Sequence, residues 1–181
     1  MINLLKKIYP LNRVLVHDDI DKTIDFIIND FPDNNYKIHE YPVGKKVWTW
    51  IIPKRNKVHR GILKDEDGVV YADINQHILY LWSYSITIKK KVQWDELKKH
   101  LYYNKKCPKA IPWYFKYYDN TWGFSIEYEK YKKIPKNKSY YVDILTEYYN
   151  KPGLKNLTYY IDNKQEKDFL MTTNICHPYQ V

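Results

Sequence analysis

Ile24, Ile27, Ile28 and Phe31 recur at the i, i+3, i+4, i+7 spacing of one helix face. The first thirty residues therefore read as helical, with Asp18 and Asp19 as caps and Pro32 as the stop. Tyr36 to Tyr41 reads as a short strand ending at Pro42-Val43-Gly44. From about residue 45 the texture changes. Val47, Trp48, Trp50, Ile51 and Ile52 form a β-rich run closed by Pro53, and Val58 to Ile74 predicts a hairpin around Asp65-Glu66-Asp67-Gly68. Ile78 to Ile88 alternates as a further strand, with Ile78, Tyr80 and Trp82 on one face. Trp94, Leu97 and Leu101 predict a short amphipathic helix, and aromatic strands are expected at about 113–118 and 122–128. The basic stretch Lys130 to Lys138, interrupted by Pro135, reads as a linker or an exposed crossing.

Three more strands are expected near the end. Tyr140 to Tyr148 carries Tyr141, Val142, Ile144 and Leu145, and a turn at Asn150-Lys151-Pro152-Gly153 leads to Leu154–Ile161. Polar Asp162 to Lys167 leads to Phe169–Cys176, which His177-Pro178 stops because proline cannot continue a ladder. The pattern describes an α/β chain, α+β overall. A helical N-terminal segment (1–44) and C-terminal strands (131–181) form one mixed-sheet domain, interrupted by a compact, aromatic, strand-rich insertion (45–130).

Composition narrows the classes. With 181 residues and 44% hydrophobic content the chain is no disordered polymer. No apolar run approaches the roughly 20 residues of a membrane helix, and the N-terminus turns charged before a signal-peptide core could form. A soluble, cytoplasmic protein with no membrane partner is the expectation. Two cysteines, Cys107 and Cys176, make no disulfide framework. The net charge of +9 suggests nucleic acid, but only Arg13, Arg55 and Arg60 among 30 basic residues are arginine, and base and phosphate recognition favours Arg. The abundance of Lys, Asn, Ile and Tyr reads as AT-rich coding, so a nucleic-acid partner is disfavoured. Glycines at 44, 61, 68, 123 and 153 spell no dinucleotide fingerprint, P-loop or nucleophile elbow. Histidines at 17, 39, 59, 77, 100 and 177 never pair at i, i+4, so no H-E-x-x-H helix exists.

His177 is the candidate metal ligand. It stands directly past an apolar run, at the carboxyl end of the last expected strand, where ligands gather in open α/β sheets, and a neutral imidazole there suits Zn²⁺. Cys176 beside it is no nucleophile for that histidine, because neighbouring side chains on a strand point to opposite faces. No catalytic residue is assigned.

Several pieces, in order, carry a resemblance: Pro10-Leu11-Asn12-Arg13, Trp48-Thr49-Trp50-Ile51-Ile52-Pro53, Tyr84-Ser85, Glu96-Leu97 with His100-Leu101-Tyr102, Pro108-Lys109-Ala110-Ile111-Pro112, Tyr117-Tyr118, Trp122-Gly123-Phe124 and Ile175-Cys176-His177-Pro178. Together they resemble the aminopeptidase-like proteins of unknown function whose bacterial genes often lie among polysaccharide-biosynthesis genes. The resemblance implies a zinc-exopeptidase-like α/β domain, a small β-rich domain inserted near its N-terminus, and a C-terminal winged helix in full-length members. It makes His177 similar to the first ligand of a di-zinc site, with zinc as the family cofactor. The family's next ligand, an acidic residue about ten positions on, and its remaining ligands and general-base carboxylate have no counterpart before Val181. Val14-Leu15-Val16-His17-Asp18-Asp19 also departs from a segment that is usually Ser- and Gly-containing, and Ser125 stands where cysteine is frequent.

The expectation is thus a truncated or split aminopeptidase-like zinc hydrolase, inactive alone, with a second polypeptide as the partner that would complete it and an exposed apolar edge meanwhile. The alternative is a non-catalytic module that recognises a glycan, a protein or single-stranded nucleic acid through the tryptophans of the insertion.

Overall fold

A computed structural model of the protein describes residues 2–31, 35–161 and 169–179. The expected helix stop at Pro32 and the polar stretch Asp162 to Lys167 lie outside the described residues. In chain order the elements are α1 (Ile2–Ile8), α2 (Asp18–Asp30), β1 (Tyr36–Tyr41), β2 (Lys46–Val47), β3 (Trp50–Ile51), β4 (Arg55–Asp65), β5 (Val70–Asp73), β6 (Ile88–Gln93), α3 (Trp94–Leu97), β7 (Leu101–Tyr102), β8 (Phe124–Ser125), α4 (Tyr128–Lys133), β9 (Ser139–Tyr149) and β10 (Leu154–Tyr159). The fold is mixed α/β, as expected. Among the described residues no helix is long and apolar enough to cross a membrane.

The chain divides into two compact units, 1–55 with 149–181, and 56–148. The second unit therefore begins later than the insertion expected over 45–130 and ends beyond it. The strand predicted at 140–148 as the first of the C-terminal domain is β9, and it sits in the four-stranded sheet of the second unit, in the order β5-β4-β9-β6. Pairing decides this, because a buried strand belongs to whichever neighbours complete its ladder.

In the first unit α2 buries Ile20, Thr23 and Ile24, whereas Phe31 is half exposed. Its N-cap is His17 rather than either expected aspartate. The imidazole Nδ1 accepts from the Asp19 amide at 3.1 Å, which leaves Asp18, Asp19 and Asp21 in the first turn, where carboxylates suit the helix dipole. β1 and β10 pair antiparallel, from Tyr36 opposite Tyr159 to Tyr41 opposite Leu154. Arg55, 3% exposed, closes this unit. Its guanidinium donates to Asp18 at 2.5 Å, to Asp21 at 2.7 Å and to the Pro152 carbonyl at 3.2 Å. Lys155 of β10 adds a 3.2 Å contact to Asp21. The third expected C-terminal strand is not one: Phe169–Cys176 has no regular structure, and Phe169, Leu170 and Met171 are 85–89% exposed. No neighbouring strand among the described residues offers it a ladder, and β-propensity without a partner forms no strand.

The second unit contains the main core, in which Leu63, Ala72, Val92, Leu97, Phe124, Ile126, Tyr140, Val142 and Ile144 interlock. Burial of each large aliphatic side chain there contributes roughly 1.5–3 kcal/mol. The predicted hairpin is β4–β5, with Leu63 opposite Ala72 and a bulge between Leu63 and Lys64. Its turn is organised by buried Asp65, which accepts from the Asp67 and Val69 amides, the Tyr71 hydroxyl and Lys138 at 2.9–3.1 Å. Burial works to raise the Asp65 carboxyl, but these hydrogen bonds outweigh it and hold it below the ordinary carboxylate value. Burial, together with the hydrogen bond to Asp65, pushes the Tyr71 phenol up to about 12.

Two readings in this unit need correction. The stretch 130–138 is not a linker: α4 covers its first half, Lys130 reaches Glu127 and the Tyr80 hydroxyl, and Lys138 grips Asp65 and Asp67. Residues 78–88 are not one strand. His77 Nδ1 accepts from the Leu79 amide and opens a 3-10 turn, Ile78–Tyr80. Tyr84 then takes φ +69°, a left-handed conformation that costs a non-glycine residue about 1–2 kcal/mol. Ser85 secures this kink. Its carbonyl accepts from Thr146 and Tyr148 at 2.9 Å, and its hydroxyl donates to the Trp82 carbonyl. The expected strands at 113–118 and 122–128 shrink to a single bridge, Ser83–Phe115, and to β8.

Gly123 explains the Trp-Gly-Phe motif. A Cβ there would lie 2.4 Å from ring carbons of Trp82, so only hydrogen lets the indole seat on the backbone. Gly123→Ala is expected to destabilise the protein by roughly 1–3 kcal/mol through overpacking, read as a lower urea midpoint at unchanged m-value. An unaltered midpoint would mean that the ring is not seated there.

Candidate functional site

The structure brings together two of the sequence pieces that suggested chemistry. Pro10-Leu11-Asn12-Arg13 follows α1, and Ile175-Cys176-His177-Pro178 lies in the irregular C-terminal segment of the same unit. Arg13, 2% exposed, donates from Nη1 to the Ile175 carbonyl at 3.0 Å. Tyr9 meets Tyr179 edge to face, 5.1 Å between centroids. A buried guanidinium thus fixes the backbone two residues before His177.

The anchor for Arg13 is built from the segment that departs from the resembled family. Val14 and Val16 are fully buried and turn His17 inward, where the imidazole caps α2. Asn12 contributes on two sides. Its amide donates to Asp19 Oδ2 at 2.8 Å, and its side chain lies 3.3 Å from His17 Nε2. Lys22 holds the other Asp19 oxygen at 2.8 Å. Burial works to raise the Asp19 carboxyl, and the Lys22 and Asn12 hydrogen bonds bring it below its ordinary value. Burial lowers the His17 imidazole against the pull of Asp19.

His177 is half-buried and Cys176 beside it is half-buried as well. Burial raises the Cys176 thiol, so the sulfur is held as a protonated, poorly nucleophilic group. Among the described residues no three His, Cys, Asp or Glu side chains cluster closely enough to hold a metal ion. Arg13 thus holds the backbone of the segment that carries His177, and among the described residues no metal-ligand set is assembled there. Arg13 is the functional neighbour that sequence reading missed as such. The available signal was its rarity, since two of the three arginines, Arg13 and Arg55, are buried, where a planar fork of donors suits fixed carbonyls and carboxylates.

The six tryptophans divide by environment. Trp82 and Trp122 are buried, Trp50, Trp94 and Trp113 are intermediate, and Trp48 is 92% exposed at the tip of the β2–β3 hairpin with φ +51°. Trp122 is stacked by His100 at 3.8 Å. Most of the set fills space, as aromatic side chains in small cores do.

The family model described as Domain of unknown function (DUF2172) matches residues 55–147, nearly coextensive with the second unit. A Clostridium acetobutylicum protein, provisionally named a polysaccharide biosynthesis protein with an aminopeptidase-like domain, is 29% identical over 176 residues, 97% of this chain and 39% of its own length. A crystal structure of a Clostridium acetobutylicum protein, provisionally named a peptidase and solved at 2.37 Å, matches with a TM-score of 0.85 and 30% identity over 98% of this chain and 41% of that one. The chain thus spans about two fifths of the length of these relatives, and both carry peptidase-like names.

The His17 cap makes stability pH-dependent in a definite direction. With its folded pKa depressed, the stabilisation is complete above the ordinary value of about 6.5 and is lost as pH falls through that value towards the folded one. Denaturant titrations at pH 7.5 and 5.5 should show a loss that His17→Asn, a capping residue that does not titrate, reduces. An identical pH slope in the variant would contradict this assignment.

Proposed function

The chain belongs to the DUF2172 family, and from that premise we propose that it is a non-catalytic portion of an aminopeptidase-like hydrolase: the DUF2172 unit together with the flanking segments that frame it. The observation that carries this reading is the TM-score of 0.85 over 98% of the chain, against only 41% of a structure named as a peptidase. The resembled family uses zinc, with His177 as the counterpart of its first ligand. A catalytic zinc ion needs three protein ligands and an open water position. His177 stands alone in that role among the described residues, with a protonated thiol and an arginine-held carbonyl as its chain neighbours. The described residues assemble no ligand set that fits a catalytic zinc ion. No hydrolytic step is assigned to them, and the remaining ligands would come from polypeptide outside this sequence.

What this chain supplies is position. Arg13 fixes the Ile175 carbonyl, and Arg55 fixes the segment after β9, so a histidine-bearing strap is presented from a folded base. The exposed Phe169-Leu170-Met171 stretch is the surface such additional polypeptide would cover.

Calorimetric titration of the purified chain with Zn²⁺ is expected to give no site tighter than about micromolar, and the chain should not release amine from an aminoacyl anilide with or without zinc. Nanomolar zinc binding abolished by His177→Ala, or chelator-sensitive cleavage by this chain alone, would overturn the reading.

A further inference from the structure

The net charge of the chain is concentrated in one stretch. Residues 98–138 contain eleven lysines against Asp119, Glu127 and Glu129, and so carry +8 of the net +9. The other 140 residues are almost balanced, with nineteen basic side chains and eighteen acidic ones. AT-rich coding would raise lysine throughout and does not account for this contrast. Two of the three acids in the stretch are also already engaged. Lys116 holds Asp119 at 2.7 Å, and Glu127 takes Lys130 at 3.3 Å and the Tyr80 hydroxyl at 2.9 Å.

The fold gathers the remaining lysines within the DUF2172 unit. The loop after β7 carries Lys105, Lys106 and Lys109, and the Pro108 carbonyl accepts from the Glu129 amide at 3.0 Å. That bond lays the loop along the first turn of α4, which, with the turn after it, supplies Lys132, Lys133 and Lys136. All six are exposed, and none forms an ion pair among the described residues. Lys132 lies over the Tyr128 ring at 5.3 Å. Between loop and helix, Tyr103 packs against Tyr128 and Tyr131 at centroid distances of 5.1 and 4.1 Å, with interplanar angles of 31° and 32°. The three rings are half-buried, so part of each meets solvent. We infer that this face binds single-stranded nucleic acid without reading its sequence. Clustered lysines neutralise phosphates and release counterions, and any base can stack on a tyrosine ring. No arginine lies between 98 and 138, so the bidentate contact that reads base edges is missing. An anionic bilayer would need apolar side chains projecting into it, and none of the exposed large hydrophobic residues lies on the 104–109 loop or on α4.

The test is fluorescence anisotropy of labelled oligothymidylate and oligouridylate with the whole chain at about 50 and about 200 mM salt. Micromolar binding is expected at the lower salt and about fiftyfold weaker binding at the higher, which corresponds to about four phosphates neutralised. Lys105→Gln with Lys106→Gln, and Lys132→Gln with Lys133→Gln, should each weaken binding about tenfold and flatten its salt dependence. Lys45→Gln with Lys46→Gln removes the same charge at β2 and should change affinity less than about twofold. Tyr128→Leu should cost about tenfold, and Tyr128→Trp should retain binding. No binding at the lower salt, an equal loss from the β2 pair, or indifference to Tyr128→Leu would overturn the inference. Tighter binding of duplex DNA, oligogalacturonate or phosphatidylglycerol vesicles than of either oligonucleotide would overturn it equally. Neither zinc binding nor amide cleavage enters these outcomes, so the inference stands apart from the hydrolase reading.

Discussion

One buried cation closes the first unit. Arg55 loses its water and regains it as two carboxylates and a carbonyl, supplied by the first turn of α2 and by the return segment at Pro152. A buried guanidinium is tolerable only when its donors are met, and loss of one partner from such a set typically costs 3–5 kcal/mol. The contacts also lie far apart in sequence, 34, 37 and 97 residues from Arg55. The pairing of β1 with β10, and the strap that carries His177, belong to the unit that this set draws together.

In the second unit the equivalent constraint is steric. The Trp82 indole rests on Gly123, Ser85 bonds back to the Trp82 carbonyl, and Tyr84 accepts a left-handed backbone between them. Trp-Gly-Phe and Tyr-Ser, which read as family markers in the sequence, are therefore two sides of one packing contact.

Some elements were legible because local physics suffices for them. The apolar spacing from Ile24 to Phe31 marks α2, the Asp65–Gly68 cluster marks the β4–β5 turn, and alternation through Tyr140, Val142 and Ile144 marks β9. Others were hidden by composition. Three successive lysines mask β6, whose buried residue is Val92 alone, and pairing with β9 makes it a strand regardless. Phe169–Cys176 shows the reverse case, an apolar run that stays irregular for want of a ladder. At the site, the segment Ile175–Pro178 stood out in the sequence by its Cys-His-Pro setting. Its anchor did not, because the Arg13 hydrogen bond spans 162 residues and leaves no periodic trace.

The sequence by itself therefore determined the helix and hairpin nuclei and the mixed α/β class, since residue identity and spacing are enough for each. Tertiary structure alone decided where the insertion ends, which arginines are buried, that His17 rather than an aspartate caps α2, and which tryptophans meet solvent. Each of these depends on which distant segment satisfies a backbone ladder or a buried charge, and that is a property of the closed fold rather than of any local stretch.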